Sequence, residues 1–122
     1  MYIPASGWLA AFVLTVVVEV PVVAILLRAS EPDLRRLALL VLFANLATHP
    51  IVWYVISQPL LIGTPAYLLV AECWAVGAEA VFYAVTVRPI AWRRAALVAL
   101  AANLASFLAG QLVVSVWPEA FG

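Results

Sequence analysis

The chain has 122 residues and no net formal charge; 68% of its residues are hydrophobic and 10% are charged. Soluble domains hold roughly 45–50% apolar and about 25% charged residues, so this composition excludes a water-soluble globule. It also excludes the basic surface that a nucleic-acid binder needs.

Four stretches are long and apolar enough to cross a hydrocarbon core of ~30 Å, which takes about 20 helical residues. The first is Trp8–Leu27. Its leader MYIPASG is uncharged and no Ala-x-Ala site follows the apolar run, so it is expected to remain a membrane span rather than a cleaved signal peptide. It carries Glu19 and Pro21. The second span, Leu37–Ile56, contains the run ANLATHP from Ala44 to Pro50. Pro21 and Pro50 remove donors to the carbonyls of Val17 and Leu46, which predicts a kink in each helix.

The third span, Ala66–Val87, carries Glu72, the lone Cys73 and Glu79. A single cysteine makes no internal disulfide, and it reads as a small hydrophobe. The fourth span, Ala95–Trp117, contains ANLAS and a series of small residues, Ala102, Ser106 and Gly110, one turn apart. Small residues at that spacing let helices approach closely.

Charge sets the expected orientation. There is no lysine; Arg28, Arg35 and Arg36 flank the first loop, and Arg88, Arg93 and Arg94 flank the third. The second loop, Ser57–Thr64, has no charge. By the positive-inside rule the arginine-bearing loops are cytoplasmic and both termini lie outside. Trp8, Tyr54, Tyr67, Trp92 and Trp117 fall near span ends, as an interfacial aromatic belt requires.

Residues 35–48, RRLALLVLFANLAT, align with 93–106, RRAALVALAANLAS, at nine identical positions of fourteen, with Thr exchanged for Ser at a tenth. Polar landmarks carry the match better than Ala and Leu do. Arg36 to Asn45, Arg94 to Asn103, Glu19 to Arg28 and Glu79 to Arg88 are each nine residues. The fold class expected is therefore an all-α integral membrane protein of two duplicated helical hairpins, residues 1–61 and 62–122. Both hairpins insert the same way up, a parallel repeat related by an axis along the membrane normal.

A rise of 1.5 Å per residue places Glu19, Asn45, Glu79 and Asn103 ~13 Å from the arginine end, in one plane. An ionised carboxylate at such depth costs ~3 kcal/mol on insertion scales, so these groups must pair, carry protons or face the bundle interior. Two residues break the repeat: His49 aligns with Phe107, and Glu72 with Phe12. They extend a polar track from Glu79 through His49 to Glu72, which suits a proton relay or a divalent metal such as zinc held by His49, Glu72 and Glu79.

The function expected is a small polytopic protein of a bacterial inner membrane. It would bind or conduct a proton or metal cation at Glu19, Asn45, His49, Glu72, Glu79 and Asn103, as a transporter or channel component. Four helices leave little room for a complete pathway, which predicts a homo-oligomer or other membrane subunits as partners. Two alternatives use the same residues: a non-catalytic scaffold glued by interhelical bonds, and a membrane enzyme acting on a lipid or quinone. Nothing in the sequence carries a nucleotide loop, a serine nucleophile motif or paired Cys/His metal spacing.

Overall fold

A computed structural model describes residues 5–87 and 90–121, with the side chains of Ala5 and Ser6 left aside. Arg88, expected to help set topology, lies outside the described residues. The described chain is all-helical: α1 Ala5–Leu27, α2 Leu34–Pro50 continued by a π-helical segment Ile51–Ile56, α3 Pro65–Thr86 and α4 Trp92–Val116. Each of the four is long and apolar enough to cross a membrane.

Local chemistry starts the helices where they begin. Asp33 caps α2, its carboxylate accepting from the backbone N–H of Arg35 and Arg36 at 3.0 and 3.3 Å. Thr64 caps α3, accepting from Tyr67 N at 3.3 Å, with Pro65 at the first helical position where its missing N–H costs nothing. Gly63 turns the chain into that cap with φ +86°, a conformation that L side chains rarely adopt.

The two prolines behave differently. α1 runs through Pro21 as continuous α-helix. At Pro50 the winding changes, and the next six residues are π-helical. Such segments widen the helix and expose carbonyls; here side chains collect several of them. Ser57 Oγ donates to Trp53 O at 2.6 Å, Gln58 Nε2 to Tyr54 O at 3.2 Å, and Tyr67 Oη of α3 to Val52 O at 3.1 Å.

The helices form a four-cornered bundle in which α1 packs on α2 and α4, and α3 packs on α2 and α4. Outward faces are apolar: Leu9, Val13, Val17, Phe43, Leu69, Val81, Leu97 and Leu104 are all exposed. Isolated exposed apolar residues are ordinary on soluble proteins, whereas a girdle of them on every helix is compatible with a multi-pass membrane protein. The packed core lies toward the arginine end, built from Val23, Leu27, Leu37, Val41, Tyr83, Val87, Val98 and Ala99.

At that end the arginines also tie helices together. Arg36 Nη2, at the start of α2, donates to Thr86 O at the end of α3, 2.8 Å away. Arg94 Nη2, at the start of α4, donates to Leu26 O at the end of α1, 2.7 Å away. Both satisfy carbonyls that a helix C-terminus leaves unpaired, and both place positive charge where the helix dipole favours it. Arg36 additionally pairs with Glu31.

Removing the hydroxyl that braces the π-helical segment should be felt. Tyr67→Phe is expected to lower the unfolding free energy by about 0.5–1.5 kcal/mol, the net worth of one hydrogen bond. Titrating the detergent-solubilised protein with sodium dodecyl sulfate checks this, and an unmoved midpoint would show that the Val52 carbonyl needs no partner.

Candidate functional site

Six polar side chains meet between the hairpins on the inner faces of all four helices. Glu19 comes from α1, Asn45 and Thr48 from α2, Glu79 from α3, and Asn103 and Ser106 from α4; all six are buried. Helical spacing explains the grouping within each helix, since Asn45 and Thr48, like Asn103 and Ser106, lie three residues apart on one face.

The bonds follow one pattern twice. Asn45 Nδ2 donates to Glu19 Oε2 at 2.8 Å and to Val41 O at 3.0 Å. Asn103 Nδ2 donates to Glu79 Oε2, and to Ala99 O at 2.8 Å. Each amide thus uses both hydrogens, one for the carboxyl of its hairpin partner and one for its own helix. The hydroxyls cross between hairpins. Ser106 Oγ lies 2.9 Å from Glu19 Oε1, and Thr48 Oγ1 lies 3.4 Å from Glu79 Oε1.

Each hydroxyl also reaches a backbone carbonyl: Ser106 Oγ to Asn103 O at 3.0 Å, Thr48 Oγ1 to Ala44 O at 3.1 Å. A hydroxyl has one hydrogen to give and lone pairs to receive. Two fully bonded states therefore share the same heavy-atom positions. In one, the hydroxyl donates to a carboxylate. In the other, the carboxyl carries a proton, donates it to the hydroxyl, and the hydroxyl donates onward to the backbone. No arginine among the described residues reaches this layer, since Arg28, Arg35, Arg36, Arg93 and Arg94 are all exposed at the far end of the bundle.

Glu19, Asn45, Glu79 and Asn103 are brought together, but His49 and Glu72 are not joined to them by hydrogen bonds. His49 Nε2 lies 3.4 Å from Thr15 Oγ1. Its ring packs among Trp8, Phe12 and Trp53, stacked on the last with centroids 6.1 Å apart. It is Thr48, the residue before the histidine, that reaches Glu79. The expected track through His49 is therefore not a continuous hydrogen-bonded chain. Among the described residues no group of three or more His, Cys, Asp or Glu side chains gathers to hold a metal ion. His49, Glu72 and Glu79, the three candidate metal ligands, are thus not gathered into one such group, and Glu79 instead bonds to Asn103 and lies near Thr48.

A cavity of about 320 Å³ opens between the hairpins on the side away from the arginines. Ile62, Gly63 and Phe121 line it near the end of the bundle, and Asn45, Thr48, Asn103 and Ser106 line its deep end. His49 and Glu72 stand along its walls. On the opposite side of the polar layer, Tyr83 lies four residues beyond Glu79 and is completely buried, its hydroxyl unpartnered among the described residues.

Sequence reasoning missed Thr48 and Ser106 as carboxyl partners, although the repeat alignment carried the signal. A hydroxyl is kept three residues after each asparagine, where alanine would serve packing equally well. Nothing in the sequence distinguished Tyr83, whose repeat counterpart is Val23. No protein-family model matches the chain, and neither a curated protein nor a solved structure matches it significantly.

Double-mutant cycles should expose the paired design. The cycles Glu19→Gln with Asn45→Ala, and Glu79→Gln with Asn103→Ala, are each expected to show coupling of ~0.6–1.7 kcal/mol, as interhelical bonds in membranes do. Additive single effects in detergent unfolding would mean that the bonds contribute nothing. Tyr83→Phe is expected to leave stability unchanged or raised by up to about 1 kcal/mol, because deleting an unpaired buried hydroxyl removes a desolvation cost. A marked loss of stability in the same assay would reveal a partner for that hydroxyl.

Proposed function

We propose that this protein binds protons at a paired carboxyl site in the middle of the bilayer and works as a component of a membrane transporter or channel. The observation that carries this reading is the hydrogen count at Glu19–Ser106 and Glu79–Thr48. A proton can be gained or lost at either carboxyl while every neighbouring polar group keeps a partner. Such a site exchanges protons without rebuilding the helix packing around it. The cavity supplies a route for water to approach from the arginine-free end.

The orientation that goes with this reading has both arginine-bearing loops in the cytoplasm and both termini outside a bacterial inner membrane. It treats the chain as a duplicated pair of hairpins, residues 1–61 and 62–122. Support comes from the crossed bonds: Arg36 and Arg94, and Thr48 and Ser106, are alignment equivalents that each reach into the other hairpin. A protein of four helices would act as an oligomer or beside other membrane subunits.

One observation favours the alternative of a non-conducting assembly subunit. The arginine side of the polar layer is filled by Val23, Leu27, Val41, Tyr83, Val87 and Val98, so the Glu/Asn bonds could act as interhelical glue alone.

Two measurements separate the readings. Infrared difference spectra across a pH titration should show carboxylic-acid C=O bands that Glu19→Gln and Glu79→Gln each remove. Proton uptake into liposomes under an imposed potential should be present in wild type and abolished by Glu79→Gln. Bands that never titrate, with no uptake, would leave the assembly subunit as the function.

A further inference from the structure

Glu72 stands apart from the carboxyls of the polar layer. It is half-buried in α3 and makes no hydrogen bond or ion pair among the described residues. The repeat offers an internal control on its role. The aligned position in the first hairpin is Phe12, a buried ring packed on Trp8 and His49. The equivalent site can therefore be filled by an apolar side chain, and the charge at Glu72 is not a requirement of this packing position.

Two cavities meet at this residue. Glu72 and Phe107 line both the inter-hairpin cavity of about 320 Å³ and an apolar groove of about 510 Å³ between α3 and α4, floored by Val76 and Gly77. A Cβ at Gly77 would touch nothing within 4 Å, so the groove is open there. The first cavity lies at the lower end of the ~300–1,000 Å³ range of small-ligand sites. Rings from separate elements line it: Trp53 from the π-helical segment, Tyr67 from α3, Phe107 from α4 and Phe121 from the tail. Among the described residues no arginine lines either cavity.

A carboxylate without a counter-charge, set among aromatic faces, is the environment that attracts a cation. An inorganic ion fits poorly. Calcium takes six to eight oxygen ligands and magnesium near-octahedral oxygen coordination, whereas the walls around Glu72 are mostly apolar. The groove beside it would accept a hydrocarbon portion. We infer that Glu72, Trp53, Tyr67 and Phe107 form a binding site for a small organic ammonium ion, its charge at Glu72 and its apolar group in the α3–α4 groove. This inference is independent of proton binding at Glu19 and Glu79, because Glu72 takes no part in their hydrogen bonds.

The test uses the full chain in a neutral detergent at mildly alkaline pH, with benzyltrimethylammonium as probe and neopentylbenzene as its uncharged isostere. Calorimetric titration should show saturable binding of the ammonium to wild type and none of the isostere. Glu72→Gln should weaken binding by at least about tenfold, a change of ~1.4 kcal/mol. Phe107→Leu, which deletes the ring shared by both cavities, should weaken it severalfold and keeps the test decisive if Glu72→Gln does not fold. Equal binding of the isostere, undiminished binding by the folded variants, no saturation with wild type, or displacement by equimolar magnesium would each overturn the inference. The infrared bands of Glu19 and Glu79 are recorded on the same samples, so loss of ammonium binding with intact proton titration separates this idea from the proton site.

Discussion

Two carboxyl groups are buried at the centre of this bundle with no positive charge among the described residues to meet them, and the arrangement of the four helices answers that constraint. An unpaired carboxylate in hydrocarbon costs several kilocalories per mole. Here each carboxyl meets an amide from its hairpin neighbour and a hydroxyl from the opposite hairpin. Neutral donors offset part of the desolvation without fixing the charge state. An arginine in the same place would instead hold the carboxylate ionised.

The same constraint accounts for the uneven packing along the bundle axis. On the arginine side, valine, leucine and one tyrosine fill the interior, and guanidinium groups clasp the helix ends. On the other side, Pro50 ends the regular winding of α2, the π-helical segment widens the helix, and space opens between the hairpins down to the polar layer. The two aligned halves do not pack evenly. The departures are local and chemical: Pro50, His49 in place of Phe107, and Glu72 in place of Phe12. They cluster on the side with the cavity, where His49 and Glu72 stand along the walls and Phe12 packs on Trp8 and His49.

Much of the fold was legible in the residue order. Four apolar runs became four helices, their observed limits lying within three residues of those expected, because length and hydropathy alone decide which segments can cross a bilayer. Both Glu–Asn pairs were legible too, since equal spacing from the arginines implies equal depth. Pro21 sits on an exposed helix face inside an uninterrupted helix, whereas Pro50 meets a carbonyl-rich turn that other side chains stabilise. His49 and Glu72 line the same cavity as the polar layer without hydrogen bonds to it, because depth along an axis says nothing of the direction a side chain points around it.

That distinction marks the boundary between the two kinds of information. The order of residues by itself determined the number and length of the apolar helices, the position of each polar group along its helix and the matching landmarks of the two halves, because helical rise is a fixed length per residue. Tertiary structure alone decided that Ser106 reaches Glu19 and Thr48 reaches Glu79, that Arg36 and Arg94 bind the ends of helices in the opposite hairpin, and that Glu72 stands where two cavities join. These facts depend on how each helix is rotated and which helices are neighbours. Rotation and neighbourhood are set by side-chain packing across the bundle, which no spacing within one helix encodes.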